Sequence, residues 1–254
     1  MKKRVLLLIP ARYQSSRFPG KPLAKISGIS MISRVLTNMS QFDCDSIDFD
    51  TYVVTDDERI ENHIKDFGGN VVRVDDDVIS GTLRIELAYS RFFKDKNYDL
   101  IINVQGDEPL LKKSEIIELS KFHLNSTFDV TTMVKKNYSF DENFRDPNKV
   151  KAVISEIDGK ALYFSRSPIP FKRDALIDSQ NDFWFLHIGV YSYRPNALLK
   201  FSTLKESRLE NLEKLEQLRA LENGMTFGAI ETKSVLLGVD TPEDIIKVEK
   251  ILNQ

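Results

Sequence analysis

Three short segments carry side chains whose types and spacing suit work on a polyphosphate. The first, Ile9-Pro-Ala-Arg-Tyr-Gln-Ser-Ser-Arg-Phe-Pro-Gly-Lys-Pro-Leu23, sets Arg12, Arg17 and Lys21 close together, with small Ser15, Ser16 and Gly20 between them. A triphosphate needs cations and backbone N–H groups converging from several directions, and such a loop supplies both. The Gly-rich spacing of a Walker loop is missing before Gly20-Lys21. Read alone, the segment is equally a phosphate cradle or a solvated basic loop. The other two segments each carry an aspartate in a Gly-containing connection: Gln105-Gly106-Asp107-Glu108-Pro109 and Gly238-Val239-Asp240-Thr241-Pro242. Mg²⁺ usually takes one or two protein carboxylates, with water and phosphate oxygens completing its shell. Asp107 and Asp240 could supply that pair; taken singly, one is a turn residue and the other a helix-start residue.

The elements that must position these loops alternate in the first half of the chain. Apolar runs at Arg4–Ile9, Asp50–Thr55, Val71–Val74 and Asp99–Val104 read as strands, with helical patterns at Met31–Met39, Glu58–Phe67, Thr82–Phe93 and Ser114–Leu124 between them. Short continuous apolar runs suit strands covered on both faces, and this alternation predicts a parallel sheet built from right-handed crossovers. In such a sheet ligands bind beyond the carboxyl ends of the strands, where the Arg12–Lys21 loop emerges. The runs Val130–Val134, Lys149–Ser155 and Ile188–Tyr193 lack intervening helices and predict an inserted antiparallel element. Regular alternation resumes with a helix over Glu210–Glu222, a strand over Thr226–Thr232 and a helix over Pro242–Leu252. The last has Thr241 as cap, Pro242 in the first turn and acidic Glu243 and Asp244 at the positive end. One α/β domain spanning residues 1–254 with an excursion at about 130–195 is the simplest organisation.

A formal net charge of −2 over 254 residues gives no global attraction to nucleic acid or an anionic membrane. Local Arg and Lys must therefore hold any anionic ligand. The single cysteine, Cys44, excludes an internal disulfide and suits a reducing compartment. The apolar run Val5–Ile9 is too short for a signal-peptide core and ends at Pro10-Ala11-Arg12, and no stretch approaches the roughly 20 apolar residues of a membrane span. A cytoplasmic protein with no membrane insertion is expected.

Taken together, Ile-Pro-Ala-Arg-x-x-Ser-x-Arg-x-Pro-Gly-Lys-Pro-Leu, Asn103-Val-Gln-Gly-Asp-Glu-Pro109 and Gly238-Val-Asp-Thr-Pro-Glu-Asp244 resemble the 3-deoxy-manno-octulosonate cytidylyltransferases, or CMP-KDO synthetases. So do Ala161-Leu-Tyr-Phe-Ser-Arg-Ser-Pro-Ile-Pro170, His187-Ile-Gly-Val-Tyr191 and Leu215-Glu-Gln-Leu-Arg219. The resemblance runs in order from residue 5 to about residue 248. It implies a Rossmann-like nucleotide-diphospho-sugar transferase fold, a homodimer whose inserted element also binds sugar, and transfer of CMP from CTP to a 3-deoxy-octulosonate sugar acid with Mg²⁺, releasing pyrophosphate. It assigns CTP to Pro10, Ala11, Arg12, Arg17, Lys21, Ser80 and Gln105, the metal to Asp107 and Asp240, and the sugar acid to Arg166, His187, Tyr191, Glu216 and Gln217. Lys21, Asp107 and Asp240 are the catalytic set, with Lys21 facing a phosphate rather than a protein carboxylate.

Three departures fall close to nucleotide and sugar. Leu83 stands in Ser80-Gly-Thr-Leu-Arg84 where the family has an acidic residue, Asp75-Asp76-Asp77 stands where many members carry an Arg, and Arg208 stands where Pro is common. The sugar can therefore be KDO itself or an analogue such as the 8-amino form. A sialic-acid-like substrate and a nucleotide-binding regulator without catalysis are the alternatives; retention of both aspartates argues against the regulator. An arginine grips a planar carboxylate with two parallel hydrogen bonds, which lysine cannot reproduce. Arg166→Lys is accordingly expected to raise the KM for the sugar acid and leave CTP binding nearly unchanged in steady-state kinetics.

Overall fold

Val5–Ile9 have no exposed surface, as a strand covered on both faces requires. They form the middle of β1 (Lys3–Ala11) in the computed structural model, which describes residues 2–14, 18–78, 80–173 and 182–253. In chain order follow β2 (Lys25–Ile26), β3 (Ile29–Ser30), α1 (Met31–Asn38), β4 (Ile47–Thr55), α2 (Glu58–Asp66), β5 (Val71–Arg73), α3 (Gly81–Ala88), β6 (Leu100–Asn103) and α4 (Lys113–Leu124). Then come β7 (Val130–Asn137), α5 (Glu142–Arg145), β8 (Lys151–Ile154), β9 (Ala161–Ser165), β10 (Trp184–Tyr193), α6 (Pro195–Thr203), α7 (Arg208–Glu213), α8 (Gln217–Glu222), β11 (Phe227–Glu231) and α9 (Pro242–Leu252). Two compact units emerge, residues 1–118 with 234–254 and residues 119–233; the excursion expected at about 130–195 lies inside the second.

In the first unit the strands run parallel in the order β6-β1-β4-β5. Ala11 pairs with Thr55 and Thr55 with Arg73, so the loops after these strands open along one edge. An apolar cluster of Ile26, Met31, Leu110, Val239 and Val248, with Phe18 and Leu237 against it, ties together residues flanking all three polar motifs. Full burial of side chains this size contributes roughly 1.5–3 kcal/mol each, which holds the loops in one arrangement.

In the second unit β10 pairs antiparallel with β7 and β8, β8 antiparallel with β9, and β11 parallel with β7. The antiparallel element thus forms as the strand-rich middle of the sequence predicts. A bulge interrupts β10 between Ile188 and Tyr191. The Thr132 hydroxyl lies 3.0 Å from the Ile188 carbonyl and 2.8 Å from that of Val190. With one O–H to donate, it satisfies one of them at a time and is left to accept from His187.

The helix expected over Glu210–Glu222 is instead two helices, parted at Lys214 in the left-handed conformation (φ 52°). The cause is distant in sequence: Arg166 donates to the carbonyls of Glu213 and Lys214 at 2.6 and 3.2 Å. In one continuous helix those oxygens would accept from the fourth residue onward. The segment expected to be helical over Thr82–Phe93 is α3 followed by a π-helical turn at Tyr89–Phe93.

Buried His123 donates from Nε2 to the Phe128 carbonyl at 3.0 Å, so Nδ1 accepts from the Ser192 hydroxyl at 2.8 Å. Burial pushes its pKa down to about 4. A folded-state pKa below the unfolded value near 6.5 means the stabilisation is complete above that value and is lost as pH falls through the window from about 6.5 to 4. Wild type should lose about 2 kcal/mol between pH 7 and 5 through this group. His123→Gln, which keeps a donor and an acceptor, should lose less over that interval. Urea midpoints followed through Trp184, the only tryptophan and 2% exposed, report this directly.

Candidate active site

The Lys21 ammonium joins all three polar motifs. It lies 2.6 Å from Asp107 Oδ2, 2.9 Å from the Val239 carbonyl and 3.5 Å from Asp240 Oδ1. Its side chain is 14% exposed, against 32% for Asp107 and 51% for Asp240. The expectation that Lys21 would face a phosphate and no protein carboxylate is therefore corrected. Two carboxylates brought this close repel unless a cation lies between them, and here the lysine supplies it. Gly20, in the left-handed region at φ 73°, starts the short 3₁₀ turn Lys21–Leu23 that presents the lysine.

Several supports could not be assigned from local motifs. The Val239 N–H donates to the Asp107 carbonyl at 2.9 Å, stapling the two acidic loops together. Asp244 Oδ2 accepts from the N–H groups of Asp240 and Thr241 at 3.1 and 3.0 Å, which fixes the backbone that carries the Asp240 carboxylate. Asp244 was legible as a first-turn acid of α9, and this second service to Asp240 depends on the turn before the helix. Glu108 lies beside the pair. Burial, with the Asp107 and Asp240 charges, pushes its carboxyl up to about 8. Its Oε2 is buried without a hydrogen-bond partner among the described residues. Among the described residues no cluster of three acidic or histidine side chains forms a metal cage, and Asp107 and Asp240 offer the two carboxylates that Mg²⁺ usually takes.

Pro10 and Ala11 close β1, and an added Cβ on Gly106 would come within 2.7 Å of the Pro10 carbonyl. Only glycine permits that approach between the two motifs. Gln105 precedes it, and its carbonyl accepts from the Glu108 N–H at 3.2 Å. Ser80 caps α3 by accepting from the Leu83 N–H at 3.1 Å, and Gly81 sets the helix start against the Pro10 ring. Arg12 donates to the Val78 carbonyl, and Arg17 lies outside the described residues. A cavity of about 370 Å³ is lined by Arg12, Gln14, Asp56, Asp75, Asp77 and Arg84 among others. Arg84 is 1% exposed, held by Asp56 at 2.8 Å and the Val74 carbonyl at 2.6 Å. Tyr13 is an addition to the expected set. The Arg59 guanidinium sits 3.3 Å from its ring centroid, and a Cβ on Gly20 would come within 3.3 Å of the same ring.

Within the second unit the expected sugar residues form their own group. His187 and Tyr191 have ring centroids 5.4 Å apart, and Phe164 meets His187 edge-on at 4.9 Å. His187 Nε2 lies 3.0 Å from the Thr132 hydroxyl, and burial lowers the pKa of this ring. Burial and then the charges of Tyr193 and Glu216 raise that of Tyr191, which places Glu216 within electrostatic reach. Gln217, 6% exposed, opens α8 beside it. Arg166 differs from expectation. Its Nε, NH1 and NH2 all donate to carbonyls, those of Glu213, Pro147 and Lys214. Only part of the fork is left for a carboxylate.

Residues 6–227 match the family model described as cytidylyltransferase. The chain belongs to the cytidylyltransferase family. Within it, the chain is 45% identical to the 3-deoxy-manno-octulosonate cytidylyltransferase of Syntrophotalea carbinolica, over 96% of this chain and 97% of that protein. It is 41% identical to the enzyme of the same name from Thermodesulfovibrio yellowstonii, over 98% of each. A solved structure of CMP:2-keto-3-deoxy-manno-octonic acid synthetase complexed with CTP superposes with a TM-score of 0.88 at 35% identity, covering 99% of both chains. A 4-diphosphocytidyl-2C-methyl-D-erythritol synthase from Anaerococcus prevotii, at 13% identity and a TM-score of 0.63, shares the fold.

Lys21→Ala should lower the unfolding free energy of the ligand-free protein by about 1–2 kcal/mol. A charged hydrogen bond is worth roughly 1.5–3 kcal/mol, discounted here for the partial exposure of both aspartates. Thermal or urea unfolding of variant and wild type checks this; unchanged stability would mean that the ammonium holds nothing together.

Proposed function

We propose that this protein transfers CMP from CTP to the anomeric hydroxyl of a 3-deoxy-octulosonate sugar acid, KDO or a close analogue, with release of pyrophosphate. The observation that carries the reading is the convergence of Lys21, Asp107 and Asp240 beyond the carboxyl ends of a parallel sheet. The matched structure, a CMP:2-keto-3-deoxy-manno-octonic acid synthetase complexed with CTP, supports this reading. Family membership and nearly full-length likeness to octulosonate enzymes favour it over sialic-acid-like substrates and over a regulator without catalysis.

The residues divide the work by chemistry. Asp107 and Asp240 would hold Mg²⁺, which when bound neutralises phosphate charge and acidifies a hydroxyl it touches. Lys21, already between those carboxylates, is placed to meet the negative charge that develops as pyrophosphate leaves. Arg12 and Arg17 would bind the triphosphate. The ends of β1 and Gln105 would read cytosine, and Ser80 would contact the nucleotide. The carboxylates of Asp56, Asp75 and Asp77 in the cavity beside Arg12 would suit ribose hydroxyls or the amino group of the base, while the Arg12 guanidinium would meet the phosphate end. His187, Tyr191, Glu216 and Gln217 would read sugar hydroxyls, and the remaining N–H groups of Arg166 would meet the sugar carboxylate. Because these groups only position and neutralise, alignment of the two substrates supplies much of the acceleration. Among the described residues no helix is long and apolar enough to cross a membrane. The same resemblance supports a cytoplasmic homodimer.

The decisive assay measures pyrophosphate release with the four NTPs crossed against octulosonate, its 8-amino analogue and sialic acid. Turnover only with CTP and an octulosonate is expected; preference for sialic acid would move the substrate class. Asp107→Asn and Asp240→Asn should each reduce turnover about 10²-fold or more, comparable to losing one strong transition-state contact. Near-normal rates in both variants at saturating Mg²⁺ would remove them from the metal site.

A further inference from the structure

Glu213, the last residue of α7, is bonded from both its side chain and its backbone to the end of β9. Its carboxylate accepts from the Ser165 hydroxyl at 2.6 Å and from the Arg166 N–H at 2.9 Å. Its carbonyl accepts from Arg166 Nε at 2.6 Å, and the carbonyl of Lys214 from Arg166 NH2 at 3.2 Å. The β9 end is itself anchored, because the ammonium of fully buried Lys151 donates to the carbonyls of Arg166 and Asp146. The chain then turns at left-handed Lys214, Leu215 is buried at 6%, and α8 opens at Gln217. Glu216 and Gln217 are thus two and three residues beyond a corner whose position four hydrogen bonds determine.

We infer that Glu213 is a positioning residue for sugar-acid recognition: by fixing the α7–α8 corner on β9 it sets where Glu216 and Gln217 stand and keeps Arg166 in the same frame. The inference rests on the proposed reading of this unit as the sugar-acid side of the reaction. Removal of the carboxylate frees the Ser165 hydroxyl and the Arg166 N–H together, so the corner loses register with β9 while α8 keeps its own hydrogen bonds. Damage should then fall on one substrate. CTP contacts proposed at Lys21, Arg12 and Gln105 come from elements that Glu213 does not touch.

The test is steady-state kinetics of wild type, Glu213→Gln, Glu213→Ala and Ser165→Ala with CTP and octulosonate varied separately, alongside unfolding followed by Trp184 fluorescence. Turnover by the wild type is measured first; its absence overturns the functional reading and this inference with it. Glu213→Ala should raise the KM for the sugar acid about tenfold or more, equivalent to one charged hydrogen bond, with the KM for CTP within about twofold. Glu213→Gln keeps an acceptor oxygen and should recover most of that loss. Equal increases in both KM values, or no change in a folded Glu213→Ala, overturn the inference. Should Glu213→Ala fail to fold, Ser165→Ala decides: a sugar-specific rise of about threefold supports it, and unaltered sugar kinetics overturn it.

Discussion

One ammonium group determines whether the three polar motifs can coexist. Asp107 and Asp240 arrive from loops far apart in the sequence, and Glu108 adds a third carboxyl beside them. Without Lys21 the loops would carry mutually repelling charge at the rim of an apolar cluster. With it, electrostatics and burial favour the same geometry. The lysine that resembles a substrate-binding group is thus also the counter-ion on which the resting architecture relies. The left-handed glycine and the short turn that follows it fix the backbone from which this lysine projects.

The parallel core was legible because its signal is local. Val5–Ile9 are apolar without interruption and Leu100–Val104 are apolar except at Asn103, and both are buried in strands or at a strand end. Thr241, Pro242 and Asp244 likewise marked the start of α9. What remained illegible was set by partners distant in sequence. Nothing within Glu210–Glu222 predicts a break at Lys214, since Arg166 imposes it from β9. The start of β10 at Trp184 was placed at Ile188, where the bulge disturbs the pattern. Strand β9 entered only as part of the Ala161–Pro170 motif, and α6 was missed although Pro195 opens it and Ala197, Leu198 and Phe201 give it a buried stripe. The motif residues themselves were legible by type; that Lys21 lies against the aspartates and that Arg166 serves carbonyls required the fold.

The two units solve opposite polar problems. Around Lys21 the difficulty is excess negative charge, met by a lysine and by N–H groups aimed at Asp244. Around Arg166 the difficulty is carbonyl oxygen at the end of α7, met by the guanidinium. A helix leaves its last carbonyls without partners, so a cation at that point both satisfies acceptors and complements the dipole. Arg166 therefore has a structural reason to be an arginine independent of any substrate.

The contact between Gly106 and the Pro10 carbonyl has a consequence for redesign. A single hydrogen atom separates these two backbones, and a methyl group in its place would stand 2.7 Å from the oxygen. In the proposed cytosine slot the gap at that point is consequently set by strand spacing, beyond the reach of side-chain choice. Enlarging the slot to admit a purine would require moving β1 away from the β6 loop, against nine paired residues on its far side.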